Sequence, residues 1–136
     1  MHKVYLGLGS NLGNKEANIC NAIERIEELI GVVERRSTLF VTKPWGFDSE
    51  NMFVNAAVCC VTDKSPHDIL SITQKIEREL GRTSKSIEGH YDDRLIDIDI
   101  LLYDDIVVDE PELKIPHPLM YERDFVMLPL KEIGGV

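Results

Sequence analysis

"LIDIDILLYDDIVVDE", Leu95 to Glu110, is the stretch whose reading decides the fold. Its first half alternates Ile96, Ile98 and Ile100 with Asp97 and Asp99, the period of a β-strand with one apolar and one polar face. Asp104-Asp105 reads as a tight turn and "IVVDE" as a short returning strand, so the stretch predicts a hairpin. Toward the N-terminus, Ser65 caps a helix with Pro66 in its first turn and Asp68 close behind. Ile69, Ile72, Ile76 and Leu80 mark its buried face, and Gly81 ends it. Earlier still come two strand-like runs, "VVERRSTLFVT" and "FVNAAVCCVT". Before them, a helix from Lys15 to Ile30 keeps Ile19, Ala22, Ile23, Ile26 and Ile30 on one face, with Asn14 as N-cap and Gly31 as stop. "KVYLGLG" is the first strand. The order β-α-β-β-α-β predicts an α+β, ferredoxin-like core, an antiparallel sheet with helices packed on one face. "PELKIPHPLMYERDFVMLPLKEI" adds a Pro-broken loop and a short last helix as a C-terminal extension.

The 136 residues suit one domain, expected over 1–136. Hydrophobic residues at 43% and charged residues at 29% are ordinary for a globular protein. No apolar run approaches a membrane span of roughly 20 residues, and "MHKVYLGLGS" enters strand directly, without a signal-peptide pattern; a cytoplasmic protein with no membrane association is expected. A net charge of −9 disfavours nucleic acid as a partner. The three cysteines lack metal-ligand spacing, and adjacent Cys59 and Cys60 should point to opposite sheet faces as reduced, structural residues.

Asp97 and Asp99 share a strand face with Cα atoms about 6.5–7 Å apart. Asp is a poor strand residue, and burying unpaired charge is costly, so the pair reads as a hard-cation site rather than a merely wet face. Gln74 and Glu77 lie one turn apart on the second helix. Arg82, Lys85 and Arg94 follow in the polar loop before the Asp strand, bases suited to phosphate beside acids suited to metal. His117 and Arg123 come from the later loop; His117 suits either a phosphate contact or a structural turn. Trp45, Phe47 and Phe53, with Asn55, fit either a stacking platform for a flat heterocycle or a small hydrophobic cluster beneath a loop. "GLGSNLG" is neither GxGxxG nor a P-loop; Gly9 reads as a place where backbone must approach a neighbour closely.

Together these motifs resemble the 6-hydroxymethyl-7,8-dihydropterin pyrophosphokinase family over essentially the whole chain. The resemblance rests on "YLGLGSNLG", "FVNAAV", "QKIERELGR", "DRLIDIDILLY" and "IPHPLMYERDFVMLPL" in that order. It implies transfer of the β,γ-pyrophosphoryl unit of ATP to the pterin hydroxymethyl group, with release of AMP, in folate biosynthesis. It also implies that Asp97 and Asp99 hold two Mg²⁺ ions and, with Arg82 and Arg94, carry catalysis. Gln74, Glu77, Ile100 and His117 would help bind ATP, with Arg82, Lys85, Arg94 and Arg123 directed at its phosphates. The pterin would stack between Phe53 and Phe125, beside Gly9, with Asn55 and the backbone around Thr42, Pro44 and Trp45 reading its edge. ATP and the pterin would be the partners of a monomer.

The chain departs from the family pattern around its mobile loop. Asp92-Asp93 replaces the usual Gly-Pro before the signature Arg, Tyr91 stands where a Trp is common, and Ser84, Glu88 and Gly89 leave the loop less basic. Trp45 replaces a smaller apolar residue. A polymerase-β-type nucleotidyltransferase also joins Gly-Ser to an Asp-x-Asp strand, but there the motifs sit close together within one strand–helix unit. Here Ser10 and Asp97 are 87 positions apart. A non-catalytic ferredoxin-like binding module would account for the fold and aromatic loop but not for Asp97, Asp99, Glu77 and Arg94 together.

Overall fold

A computed structural model describes residues 1–42, 52–81 and 95–136. In chain order its elements are β1 (His2–Ser10), α1 (Lys15–Leu29), β2 (Val32–Arg36), β3 (Phe40–Thr42), β4 (Phe53–Thr62), α2 (Pro66–Glu79), β5 (Asp97–Tyr103), β6 (Val108–Glu110), β7 (Leu113–Ile115), a single 3-10 turn (Met120–Glu122) and α3 (Asp124–Glu132). The main sheet runs β2-β4-β1-β5, with β3 also paired to β4, and every pairing is antiparallel. Leaving β3 aside, this is the strand order of the split β-α-β pattern that the sequence predicts.

Alternation divides the sheet into two faces. Val4, Leu6 and Leu8 of β1, Val54, Ala56, Val58 and Cys60 of β4, and Ile98 and Ile100 of β5 enter one core with Ile19, Ala22, Ile23 and Ile26 of α1 and Ile69 and Ile76 of α2. Burying such side chains supplies about 1.5–3 kcal/mol each, which makes this face the main source of stability. The helices are capped as expected: Asn14 accepts from the Ala17 N–H at 3.1 Å, and Ser65 accepts from the Asp68 N–H at 3.2 Å. Gly81 ends α2 with φ +105°, a backbone conformation that favours glycine. Gly31 has a different purpose: a Cβ there would lie 2.0 Å from the Val61 carbonyl oxygen, so glycine permits the chain to pass against β4.

Helices do not pack on one face only. α1 and α2 cover the face just described, whereas the C-terminal segment crosses the other. There Ala57, Cys59 and Ile133 form one cluster, with Tyr5 against it, and Leu101 joins Met120, Val126 and Leu130 in another. Cys59 and Cys60 therefore point to opposite faces, as the pattern predicts, and all three cysteines are free.

Two strand expectations need correction. "VVERRSTLFVT" is two strands, because Ser37 interrupts it: the Ser37 N–H donates to the Ala57 carbonyl at 2.9 Å, and its Oγ accepts from the Ala57 N–H at 2.9 Å. The side chain thus takes a position in the ladder that backbone would otherwise fill. "IVVDE" does not return along β5. β6 pairs with β7 in a separate two-stranded sheet, Val108 opposite Ile115 and Glu110 opposite Leu113, around a turn containing Pro111. The Asp104 turn itself forms, with φ +48°; its carboxylate accepts from the Lys3 N–H at 2.8 Å and meets His2 Nδ1 at 2.7 Å, tying the end of β5 to β1.

Candidate active site

The second sheet face carries the polar residues. In β1, Gly9 pairs with Asn55 of β4 on one side and Asp97 of β5 on the other. Gly7 likewise pairs with Ala57 and Asp99. Directly opposed residues in an antiparallel ladder share a face, so Asn55, Gly9 and Asp97 form one row and Ala57, Gly7 and Asp99 the next. The two glycines lower the middle of this surface to bare backbone between Asn55 and the two carboxylates. A register break between Tyr5 and Leu6 follows, where Leu101 is the extra residue of β5. Leu101 turns into the α3 cluster, so the covered part of this face begins directly below Asp99.

The Asn55 end is tightly built. Asn55 is buried, and its Nδ2 donates to Thr42 Oγ1 at 2.8 Å. A Cβ on Gly9 would lie 3.1 Å from Asn55 Oδ1, tighter than packed side chains normally allow, and in ordinary contact with the Phe53 ring at 3.5 Å, so glycine leaves Asn55 undisturbed. Close approach, the role that the sequence suggests for Gly9, is what it performs. Thr42 is paired with Phe53, placing Thr42, Phe53 and Asn55 side by side.

The carboxylate end gathers residues from three segments. Asp97 and Asp99 are half-buried, while their neighbours Ile96, Ile98 and Ile100 are buried, the alternation that the sequence predicts. Glu77 of α2 is buried, and its Oε2 accepts from the Ile98 N–H at 2.9 Å. Gln74, one turn earlier, is exposed. His117 follows a cis Ile115–Pro116 bond; its N–H donates to the Leu101 carbonyl at 3.1 Å, and its Nδ1 accepts from the Leu119 N–H at 3.4 Å. That bond leaves the ring proton of a neutral His117 on Nε2. Burial lowers the imidazole's pKa, the Arg123 guanidinium lowers it further, and Asp97 acts in the opposite sense. Arg123 is buried just before α3 and lies over the Phe125 ring, its guanidinium carbon 5.6 Å from the ring centroid.

The structure therefore brings Gly9, Thr42, Phe53 and Asn55 together at one end and Asp97, Asp99, His117 and Arg123 toward the other, with Ile100 turned into the core beneath. Pro44, Trp45, Arg82, Lys85 and Arg94 lie outside the described residues. Ser10 and Asn11, to which the sequence assigns no place in the site, are both fully buried where β1 leaves the sheet; Ser10 Oγ accepts from Asn18 Nδ2 at 3.2 Å. Their signal was their place just after Gly9. Elsewhere, His67 meets Glu110 at 3.1 Å and Glu112 at 4.0 Å, a largely exposed ion-pair group that ties the β6–β7 hairpin to the first turn of α2.

The donor set suits a hard cation. Two carboxylates over a glycine floor offer oxygen ligands of the kind that Mg²⁺ takes together with phosphate oxygens.

Residues 5–135 match the family described as 7,8-dihydro-6-hydroxymethylpterin-pyrophosphokinase. The chain belongs to this family. It is 50% identical over 132 residues to the 2-amino-4-hydroxy-6-hydroxymethyldihydropteridine pyrophosphokinase of Porphyromonas gingivalis, covering 96% of this chain and 90% of that one. It is 43% identical to the protein of the same name from Aquifex aeolicus, over 98% of this chain and 81% of that one. The fold also matches a crystal structure of Plasmodium falciparum HPPK-DHPS with a TM-score of 0.76 at 17% identity, over 97% of this chain. This chain spans 40% of that longer protein. The protein is an ATP-dependent pyrophosphokinase of folate biosynthesis, with the α+β fold of its family. No helix among the described residues is long and apolar enough to cross a membrane.

Proposed function

We propose that residues 1–136 act as one pyrophosphokinase domain that binds its two substrates at opposite ends of the Asn55–Gly9–Asp97 row. 6-Hydroxymethyl-7,8-dihydropterin occupies the Asn55 end and the ATP triphosphate the Asp97–Asp99 end. The row is the observation that carries this reading. Asn55 and Asp97 are one strand removed from each other, so their backbones stand about 9.5 Å apart, two strand spacings. That span suits a bicyclic ring whose hydroxymethyl arm reaches toward a phosphate held over the carboxylates.

Each residue then has a physical task. Phe53 and Phe125 stack on the pterin, while Asn55, held by Thr42, reads its edge beside Gly9, with Pro44 and Trp45 completing that wall. Asp97 and Asp99 would hold two Mg²⁺ ions, which neutralise the triphosphate and polarise the phosphoryl group when bound. Arg82, Lys85, Arg94 and Arg123 bind phosphate oxygens, and neutral His117 donates from Nε2 without adding charge. Gln74 and the backbone at Ile100 lie on the nucleotide side.

The hydroxymethyl oxygen attacks the β-phosphorus. The bond from that phosphorus to the α,β-bridging oxygen breaks, AMP leaves with that oxygen, and the hydroxyl proton is lost. No protein group forms a covalent bond. The contribution of the chain is alignment and charge, held on a rigid sheet. The enzyme works as a cytoplasmic monomer.

The test is incubation with ATP, Mg²⁺ and 6-hydroxymethyl-7,8-dihydropterin, followed by identification of both products. AMP with a diphosphorylated pterin is expected; ADP, or AMP formed without pterin, would overturn the reading.

A further inference from the structure

We propose that Glu77 is a positioning residue that clasps β5 and thereby sets the placement of Asp97 and Asp99, rather than a contact to the nucleotide. The proposal rests on the reading of those two aspartates as metal ligands.

Among the described residues β5 is an edge strand of the main sheet, paired with β1 alone. Backbone groups alternate in direction along such a strand, and an edge strand held on one side alone is easily displaced. Asp97 and Asp99 stand opposite their partners Gly9 and Gly7 in β1. The residue between them, Ile98, sends its N–H away from β1 to Glu77 Oε2, 2.9 Å away on α2. The link joins positions 21 apart in sequence, and both residues are buried. Further along, the Leu101 carbonyl accepts from the His117 N–H at 3.1 Å. β5 is thus held at Ile98 by the helix and at Leu101 by the loop that delivers His117.

A carboxylate suits this task better than it suits a polyphosphate. An anion beside Asp97, Asp99 and a triphosphate adds repulsion, whereas a side-chain oxygen that reaches a buried backbone N–H gives that group the acceptor it needs. Thr73 and Ile76, buried on the same side of α2, fix the helix from which Glu77 reaches. Outer residues that orient metal ligands typically matter by 10–100-fold in metal affinity or activity.

Length and charge can be separated. Glu77→Asp keeps the charge but is too short to reach Ile98; Glu77→Gln keeps the reach and an acceptor oxygen but loses the charge. The expected result is that Glu77→Asp raises the Mg²⁺ concentration for half-maximal turnover about 10–100-fold, with KM for pterin unchanged, while Glu77→Gln shifts it by less than about threefold. Amide exchange at Ile98, measured by NMR on metal-free protein, should accelerate in Glu77→Asp and stay slow in Glu77→Gln. Glu77→Gln as impaired as Glu77→Asp, or an Ile98 amide indifferent to Glu77→Asp, would overturn the proposal. If Ile98 responds as expected but Asp97→Asn leaves the Mg²⁺ requirement untouched, the metal assignment falls and the clasp stands.

Discussion

Gly9 and Asn55 are paired across β1 and β4 so closely that a single added methyl group would stand 3.1 Å from the Asn55 amide oxygen. The same methyl would lie 3.5 Å from the Phe53 ring. Gly9→Ala must therefore shift Asn55, proposed to read the pterin edge, and crowd Phe53 without displacing it, while Asp97, on the other side of β1, keeps its place. KM for pterin should rise about tenfold, the scale of one lost or distorted hydrogen bond to a substrate, with KM for ATP nearly unchanged. Steady-state kinetics with each substrate varied checks this. An equal rise in both constants would mean that Gly9 supports the whole sheet and not the pterin end.

Asp97 and Asp99 are half-buried between the buried isoleucines Ile96, Ile98 and Ile100. Their removal should cost function and spare the fold, because Ile96, Ile98 and Ile100 make the core contacts. Asp97→Asn and Asp99→Asn should each lower kcat by on the order of 10²-fold or more, with thermal midpoints little changed, since the charge matters in the transition state. Near-normal turnover in either variant would remove that aspartate from the proposed metal site.

How much of this was legible in the sequence follows from the range of each interaction. The aspartate pair and its isoleucine partners are a period-two pattern, local to seven residues of β5, and alternation alone predicts them. The helix caps at Asn14 and Ser65 are equally local. The partner of β6 is not: "IVVDE" looks the same whether it pairs with β5 or with β7, and the pairing across the turn at Pro111 is what the fold adopts. The placement of α3 is hidden for a related reason. Its apolar residues say that it covers something, but the choice of sheet face depends on Tyr5, Ala57, Cys59 and Leu101, which come from three strands. The Gly9 row is of the same kind, since a glycine shows nothing of what lies across the ladder.

His117 gives the protein a specific acid sensitivity. Its pKa is lowered from 6.5, first by burial and then by Arg123, against the weaker effect of Asp97. Below pH 6.5 the unfolded chain takes up a proton at this position that the folded chain refuses until a lower pH. Stability contributed here is therefore complete above that value and is progressively lost as pH falls toward the lowered folded value. Without Mg²⁺ or nucleotide, the thermal midpoint should decline as pH falls from about 7 to about 5, and His117→Gln should show a shallower decline. Equal slopes for both proteins would show that another group governs acid sensitivity.

The cysteines report on whether the sheet stays closed in solution. Thiolate is the reactive form, so burial protects a cysteine both by blocking access and by raising its pKa. Cys60, within the helix-covered core, is pushed up to about 12, chiefly by burial, and Cys59 is also raised by burial on the opposite face, where it meets Tyr5. Cys20 stands exposed on α1. A disulfide reagent such as Ellman's should thus label Cys20 quickly in the native protein, and Cys59 and Cys60 only when denaturant opens the sheet. Tyr5→Ala, which removes part of the cover over Cys59, should speed labelling of Cys59 while leaving Cys60 protected, because the two thiols lie on different faces. Simultaneous labelling of Cys59 and Cys60 in that variant would mean instead that β4 opens as a unit, and that the α3 cover holds the sheet together as well as closing the face below Asp99.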